Sequence, residues 1–359
     1  MRPAPEGSAI VWCEGAFGTP NGKTAHGLIR RSRRYRILSV VDSRHAGSDA
    51  LEVLDGRSGA IPVTADLGAA LSAAAGKATH FVIGLAPDGG RLPDDARAAV
   101  AEAIRAGLNV DSGLHDFLSN DPALTSLAKE RGVTIRDVRK PPDRSSLHFF
   151  SRKIEEVTSF RIALLGTDSA VGKRTTAWIL VDALVKAGVS AELIGTGQTA
   201  WMQGSRYGIV LDSLINDFVS GEIEHAVWLA WSEARPDAIV VEGQGSLMNP
   251  AYPGGFEILA AARPHVVVMQ HAPARREYDG FPGYPIHPLE EQIRAVETVS
   301  GRPVVAVTLN HEDLTPGQTR QAAAEITKST GLPAVDVLLE GPGRLVEALM
   351  ARAVEARGR

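Results

Sequence analysis

Short apolar runs alternate with Ala-rich stretches of helical period along the first 140 residues. Ala9–Cys13, Arg36–Val41, Thr79–Gly84 and Val133–Val138 predict strands, and their near-continuous aliphatic character is that of parallel strands covered on both faces. Between them Asp66–Ala75 and Pro93–Ala106 repeat apolar positions at helical spacing, the second opened by proline and closed by Gly107, as helix ends prefer. The periodicity stops at Lys140-Pro-Pro-Asp143 and a polar Arg144-Ser-Ser follows, which places a domain boundary near residue 142. Strands are predicted again at Phe160–Leu165, Ala191–Ile194, Ala238–Val241, His265–Met269, Val304–Leu309 and Val335–Leu338, with helices over 173–187, 221–234, 288–300, 317–330 and 342–356. The pattern therefore predicts an α/β chain of two doubly wound domains, residues 1–142 Rossmann-like and residues 143–359 a second parallel sheet.

Composition narrows the function classes. A chain of 359 residues exceeds the roughly 250–300 at which single cores stop growing, in keeping with two domains. It is 44% hydrophobic and 22% charged, enough apolar material for buried sheets. A net charge of -4 argues against a nucleic-acid partner. The arginines at 30, 31, 33, 34 and 36 read as a solvated helix end. The lone Cys13 fits a reducing compartment, so a cytoplasmic location is expected. With no apolar run near the ~20 residues of a membrane helix, no membrane partner is expected either.

The strongest chemical signal lies between Phe160–Leu165 and the helix beginning near Lys173. There Gly166-Thr167-Asp168-Ser169-Ala170-Val171-Gly172-Lys173-Arg174-Thr175-Thr176 has the strand-loop-helix setting of a phosphate-binding loop. Backbone N–H groups of such a loop converge on phosphate oxygens, the helix dipole adds positive potential, and Lys173 adds a point charge. These features make the second domain P-loop NTPase-like. Two departures from Gly-x4-Gly-Lys-Ser/Thr matter. Five residues separate Gly166 from Gly172, and Arg174 stands where a magnesium-binding hydroxyl follows the lysine. Thr175 substitutes for that hydroxyl only if the loop shifts by one residue. Arginine forks onto phosphate oxygens but accepts no metal, so metal-dependent and metal-free binding both remain open, as do ATP and coenzyme A.

The Gly-Thr-Asp and Val-Gly-Lys pieces resemble the loop of dethiobiotin synthetase and its relatives, which use ATP and magnesium. Val240-Val-Glu-Gly-Gln-Gly245 is similar to that family's Val-Glu-Gly-Ala-Gly-Gly. The match implies Asp168 and Glu242 as magnesium carboxylates. Over essentially its full length the chain also resembles the DgcN-like family. The likeness rests on the Arg-Lys-Pro-Pro connection, the loop above, Gly195-Thr-Gly-Gln-Thr199, Asp212 through Asp217-Phe-Val, and Glu242-Gly-Gln-Gly-Ser246. The resemblance implies an N-acetyltransferase carrying acetyl from acetyl-CoA to the amino group of D-glutamate or a similar amino acid, with a homo-oligomer expected. The residue chemistry alone favours an ATP- and magnesium-dependent ligase or kinase on a small carboxylate or amino acid. A nucleotide-controlled switch is a third reading.

Amine acylation needs a general base and donors for an oxyanion. Asp212, Asp217, Glu242 and His271 fall near predicted strand ends of the second sheet, where open α/β sheets bind ligands. Glu242 and His271 are the first candidates for the base, Asp212 a further catalytic one, and Asp217 a substrate contact. Arg206, Arg275 and Arg276 offer cationic partners for substrate carboxylates. Gln198 and Thr199 offer hydrogen bonds, and Tyr278–Pro288 reads as a lid, a pocket wall or an ordered connection. Glu14–Thr24 with Asp42 reads as a degenerate Rossmann site, and Asp111, Ser112 and His115 follow an apolar run that a ligand or a plain turn accounts for equally.

Overall fold

The computed structural model describes residues 4–357, which form two compact units. Unit 1 is Met1–Pro142 with Gly197–Ser205, and unit 2 is Asp143–Thr196 with Arg206–Arg359. In unit 1 the strands are β1 (Gly7–Trp12), β2 (Tyr35–Val41), β3 (Val63–Thr64), β4 (His80–Ile83), β5 (Asn109–Ser112) and β6 (Ile135–Asp137). All pair in parallel in the order β3-β2-β1-β4-β5-β6, the Rossmann arrangement. Helices α1 (Lys23–Arg30), α2 (Ala50–Asp55), α3 (Leu67–Ala74), α4 (Asp94–Arg105) and α5 (Pro122–Arg131) connect them. The boundaries follow the caps. Asp66 accepts from Ala69 N at the start of α3, and Asp121 accepts from Ala123 N at the start of α5.

Unit 2 begins at β7 (Phe160–Gly166), followed by α6 (Lys173–Lys186) and β8 (Ala191–Gly195). The next helix, α7 (Gln198–Gln203), belongs to unit 1. Its Gln203 Nε2 donates to the carbonyls of Gly27 and Arg31, and the Arg34 guanidinium lies 3.7 Å over the Trp201 ring. The chain returns to unit 2 with β9 (Tyr207–Gly208), α8 (Asn216–Ala234), β10 (Ala238–Glu242), α9 (Gly255–Ala262), β11 (Val266–His271), α10 (Leu289–Ser300), β12 (Val304–Leu309), α11 (Pro316–Thr330), β13 (Ala334–Val335) and α12 (Gly343–Arg357). The parallel sheet runs β13-β12-β11-β7-β10-β8-β9, so β7 is central and fully buried. No described helix is long and apolar enough to cross a membrane.

Two expectations shift. The strand expected at Val335–Leu338 stops at Val335, because the Asp336 carboxylate accepts from Leu338 N and Leu339 N and turns the chain. The helix expected over 221–234 begins earlier, at Asn216. That helix holds the segment entering unit 2. Glu222 accepts from His148 N and Nδ1, while Glu224 accepts from Ser151 N, Ser151 Oγ and Ile154 N. The backbones meet at Gly221, where an added Cβ would lie 1.9 Å from the His148 carbonyl oxygen. Glycine to alanine inside a helix ordinarily stabilises by ~1 kcal/mol. We expect Gly221→Ala instead to lower stability by about 1–3 kcal/mol through overpacking, read as a fall in the denaturation midpoint.

Candidate functional site

The carboxyl end of β7 and the start of α6 enclose the phosphate loop. Ala170 at φ 52° and Gly172 at φ 101° turn the backbone through the left-handed region. Gly172 caps α6 and supplies no side chain of its own, so the first-turn N–H groups face a prospective anion. Lys173 is buried, and its Nζ donates to the carbonyls of Asp168 at 2.5 Å and Gly245 at 2.9 Å. Burial lowers its pKa to about 8, against the pull of Asp168 and Glu242. Behind the loop, Gln270 Oε1 accepts from Thr176 Oγ1 at 2.6 Å and Thr308 Oγ1 at 2.7 Å, joining α6 to the sheet.

Asp168 is fully buried and serves as the hub of the loop. One carboxylate oxygen accepts from Ser169 N (2.7 Å) and Asn249 Nδ2 (2.9 Å). The other accepts from Arg275 Nη1 (2.9 Å) and Asp279 N (2.8 Å). Those donors come from the loop itself and from the segments after β10 and β11. Asn249 is fixed in turn, its Oδ1 accepting from Ala251 N and Tyr252 N.

Glu242 ends β10, next to β7, and is buried. Burial raises its pKa, opposed by Arg174, by the Thr196 N–H that it accepts at 3.0 Å, and by Lys173. His271 ends β11, with Nδ1 3.0 Å from Thr167 Oγ1, and burial lowers its pKa to about 4. It is therefore neutral at pH 7.

The donor set does not fit magnesium. A carboxylate offers about four lone-pair directions, and the four donors on Asp168 fill them. Glu242 lies in the field of two cations, Arg174 and Lys173. Arg174 itself cannot ligate a metal. The same N–H groups, lysine and arginine do suit a bare pyrophosphate.

The remaining expected residues make no bond to Asp168, Lys173 or Glu242 among those described. Asp212 and Asp217 are exposed, Asp217 in the first turn of α8. Arg206 is exposed and pairs with Glu233 at 2.8 Å, and Arg276 is exposed. Gln198 and Thr199 belong to unit 1, where Thr199 Oγ1 bonds Thr24 Oγ1 at 3.1 Å. In the Glu14–Thr24 loop, Gly15 N and His45 Nδ1 occupy the two oxygens of Asp42 that a ribose would need. Asp111 is internal to the sheet, bonded to Tyr35 Oη and Arg136. The residue that sequence reasoning missed is Asn249, because nothing in Ser246-Leu-Met-Asn-Pro250 marks a partner for Asp168.

A cationic Lys173 strengthens anion binding, and the free protein loses that charge as pH rises through about 8. Calorimetry with a phosphate ligand of the loop should therefore show affinity falling from pH 7 to pH 9, where an ordinary lysine would stay charged. Lys173→Ala should cost at least about ten-fold in affinity, as expected for a lost charge-assisted contact. Unchanged binding in that variant would refute the loop assignment.

Two family models match the chain. Residues 43–141 match a domain of unknown function described as the Rossmann-like DUF1611_N, and residues 148–346 match the P-loop domain DUF1611_C. A D-glutamate N-acetyltransferase of Tritonibacter scottomollicae is 32% identical over 286 residues, covering 78% of this chain and 83% of that one. A protein of the same name from Pseudoalteromonas sp is 31% identical over 285 residues, covering 76% and 81%. The crystal structure of a DUF1611 family protein from Anabaena variabilis superposes with a TM-score of 0.89 at 32% identity, covering 96% of this chain and 100% of that one. A shared fold, matched domains in both halves and this identity over most of the length place the chain in the DUF1611 family.

Proposed function

We propose that the protein transfers the acetyl group of acetyl-CoA to the amino group of D-glutamate or a similar amino acid. The likeness to two D-glutamate N-acetyltransferases, about a third identical over three quarters of the chain, carries the reaction. The phosphate loop supports the place of the cofactor, since its N–H groups, Lys173 and Arg174 suit the pyrophosphate of coenzyme A without a metal.

An amino acid reaches the site as an ammonium and must lose a proton before it attacks. Its nitrogen then forms the C–N bond to the thioester carbonyl, the C–S bond breaks, and the thiolate takes up a proton. Between the two candidate bases, the raised pKa of Glu242 moves it toward neutrality, whereas His271 at about 4 is a weak acceptor. Glu242 is the base in this reading. In this reading Lys173 and Arg174, whose charges oppose the rise in the Glu242 pKa, act on cofactor phosphates rather than on the proton.

The test incubates the protein with D- or L-glutamate and either acetyl-CoA or ATP with magnesium, following free thiol, ADP and the mass of the amino acid. The expected result is thiol release and acetylated D-glutamate with no ATP requirement; ADP formation dependent on the amino acid would instead establish a ligase or kinase. Glu242→Gln should lower kcat by about 10²-fold or more, as for loss of a general base, while coenzyme A still binds. A kcat within a few-fold of the parent removes Glu242 from that role.

A further inference from the structure

Arg275 follows β11 and is largely buried, its side chain 12% exposed. One guanidinium nitrogen points inward, Nη1 donating to Asp168 Oδ2 at 2.9 Å and to the Ser169 carbonyl at 2.7 Å. The other, Nη2, donates to Glu312 Oε2 at 2.6 Å. Asp168 already balances the charge of Arg275. Glu312 is therefore a second carboxylate on one cation, and it is 40% exposed. It comes from the turn after β12, where its own N–H donates to Asn310 Oδ1.

An ion pair whose carboxylate is partly open to solvent is weakened by screening, and a carboxylate seated on a guanidinium has the geometry that a ligand carboxylate or phosphate oxygen would adopt. The same guanidinium grips the phosphate loop at Ser169, so an anion received on Nη2 belongs to a ligand held by that loop. The geometry points to Arg275 as the receptor for an oxyanion of the ligand, with Glu312 occupying that anion's place in the free protein. This rests on the reading of the loop as an acetyl-CoA site. It adds a cationic contact distinct from Arg206, which pairs with Glu233.

The role has a signature opposite in sign to a structural one. A bridge that merely holds the loop would bind ligand worse, or no differently, when Glu312 loses its charge. A competing internal anion makes Glu312→Gln bind better. The experiment measures Kd by calorimetry for three probes: inorganic pyrophosphate, coenzyme A and D-glutamate. Glu312→Gln should tighten at least one by about two- to five-fold, the range set by loss of one solvent-screened ion pair. Tightening of pyrophosphate and coenzyme A assigns the anion to the cofactor phosphates, and tightening of D-glutamate alone assigns it to the substrate carboxylate.

Arg275→Lys keeps the charge but loses the planar fork, so it should weaken the same probe. In that background the gain from Glu312→Gln should shrink, the difference being the coupling that a double-mutant cycle measures. Because Glu312 lies in a turn and its side chain is 40% exposed, Glu312→Gln remains informative even where Arg275→Lys fails to fold. Unchanged or weaker binding of all three probes by Glu312→Gln overturns the proposal. The readout is binding, so a failure of thiol release in the parent protein would count against acetyl transfer and leave the Arg275 result standing.

Discussion

The candidate site depends on one buried carboxylate. An ionised Asp168 with no solvent contact would cost several kcal/mol if left unsatisfied, and here two N–H groups, an amide and a guanidinium meet it. Those partners come from the phosphate loop, the segment after β10 and the segment after β11. One charge thus sets the relative positions of three loops that share no sequence proximity. Lys173 completes the arrangement by bonding the carbonyls of Asp168 and Gly245.

Around that hub the electrostatics divide by depth. Burial works on each ionisable group toward its neutral form, lowering Lys173 and His271 and raising Glu242. The cations nearest Glu242 oppose the effect, so a carboxylate with a raised pKa lies beside groups suited to phosphate. Such opposed settings distinguish groups that bind charge from groups that move protons.

What the sequence made legible follows from how locally each feature is encoded. The fully buried run of β7 and the glycine and lysine of the loop are consecutive residues, so pattern alone finds them. The strands β3 and β9 span two residues each and carry no pattern. Asp168 is recognisable as part of a phosphate loop, but its partners at 249, 275 and 279 are set by tertiary structure. The strand-loop-helix setting suffices to find the loop, and the resemblance to dethiobiotin synthetase adds magnesium carboxylates that the donor set around Asp168 does not suit. Arg174 was already the sign of that difference.

The membership of α7 in unit 1 has a consequence for synthesis. The chain enters unit 2 after Pro142, leaves it after Thr196 and re-enters at Arg206. Gln203, which bonds the carbonyls of Gly27 and Arg31, and the Trp201 ring beneath Arg34 are therefore translated only after β7, α6 and β8. The N-terminal unit cannot finish on the ribosome when its own sheet has emerged. It waits, one helix short, until the first strands of the other unit have been made.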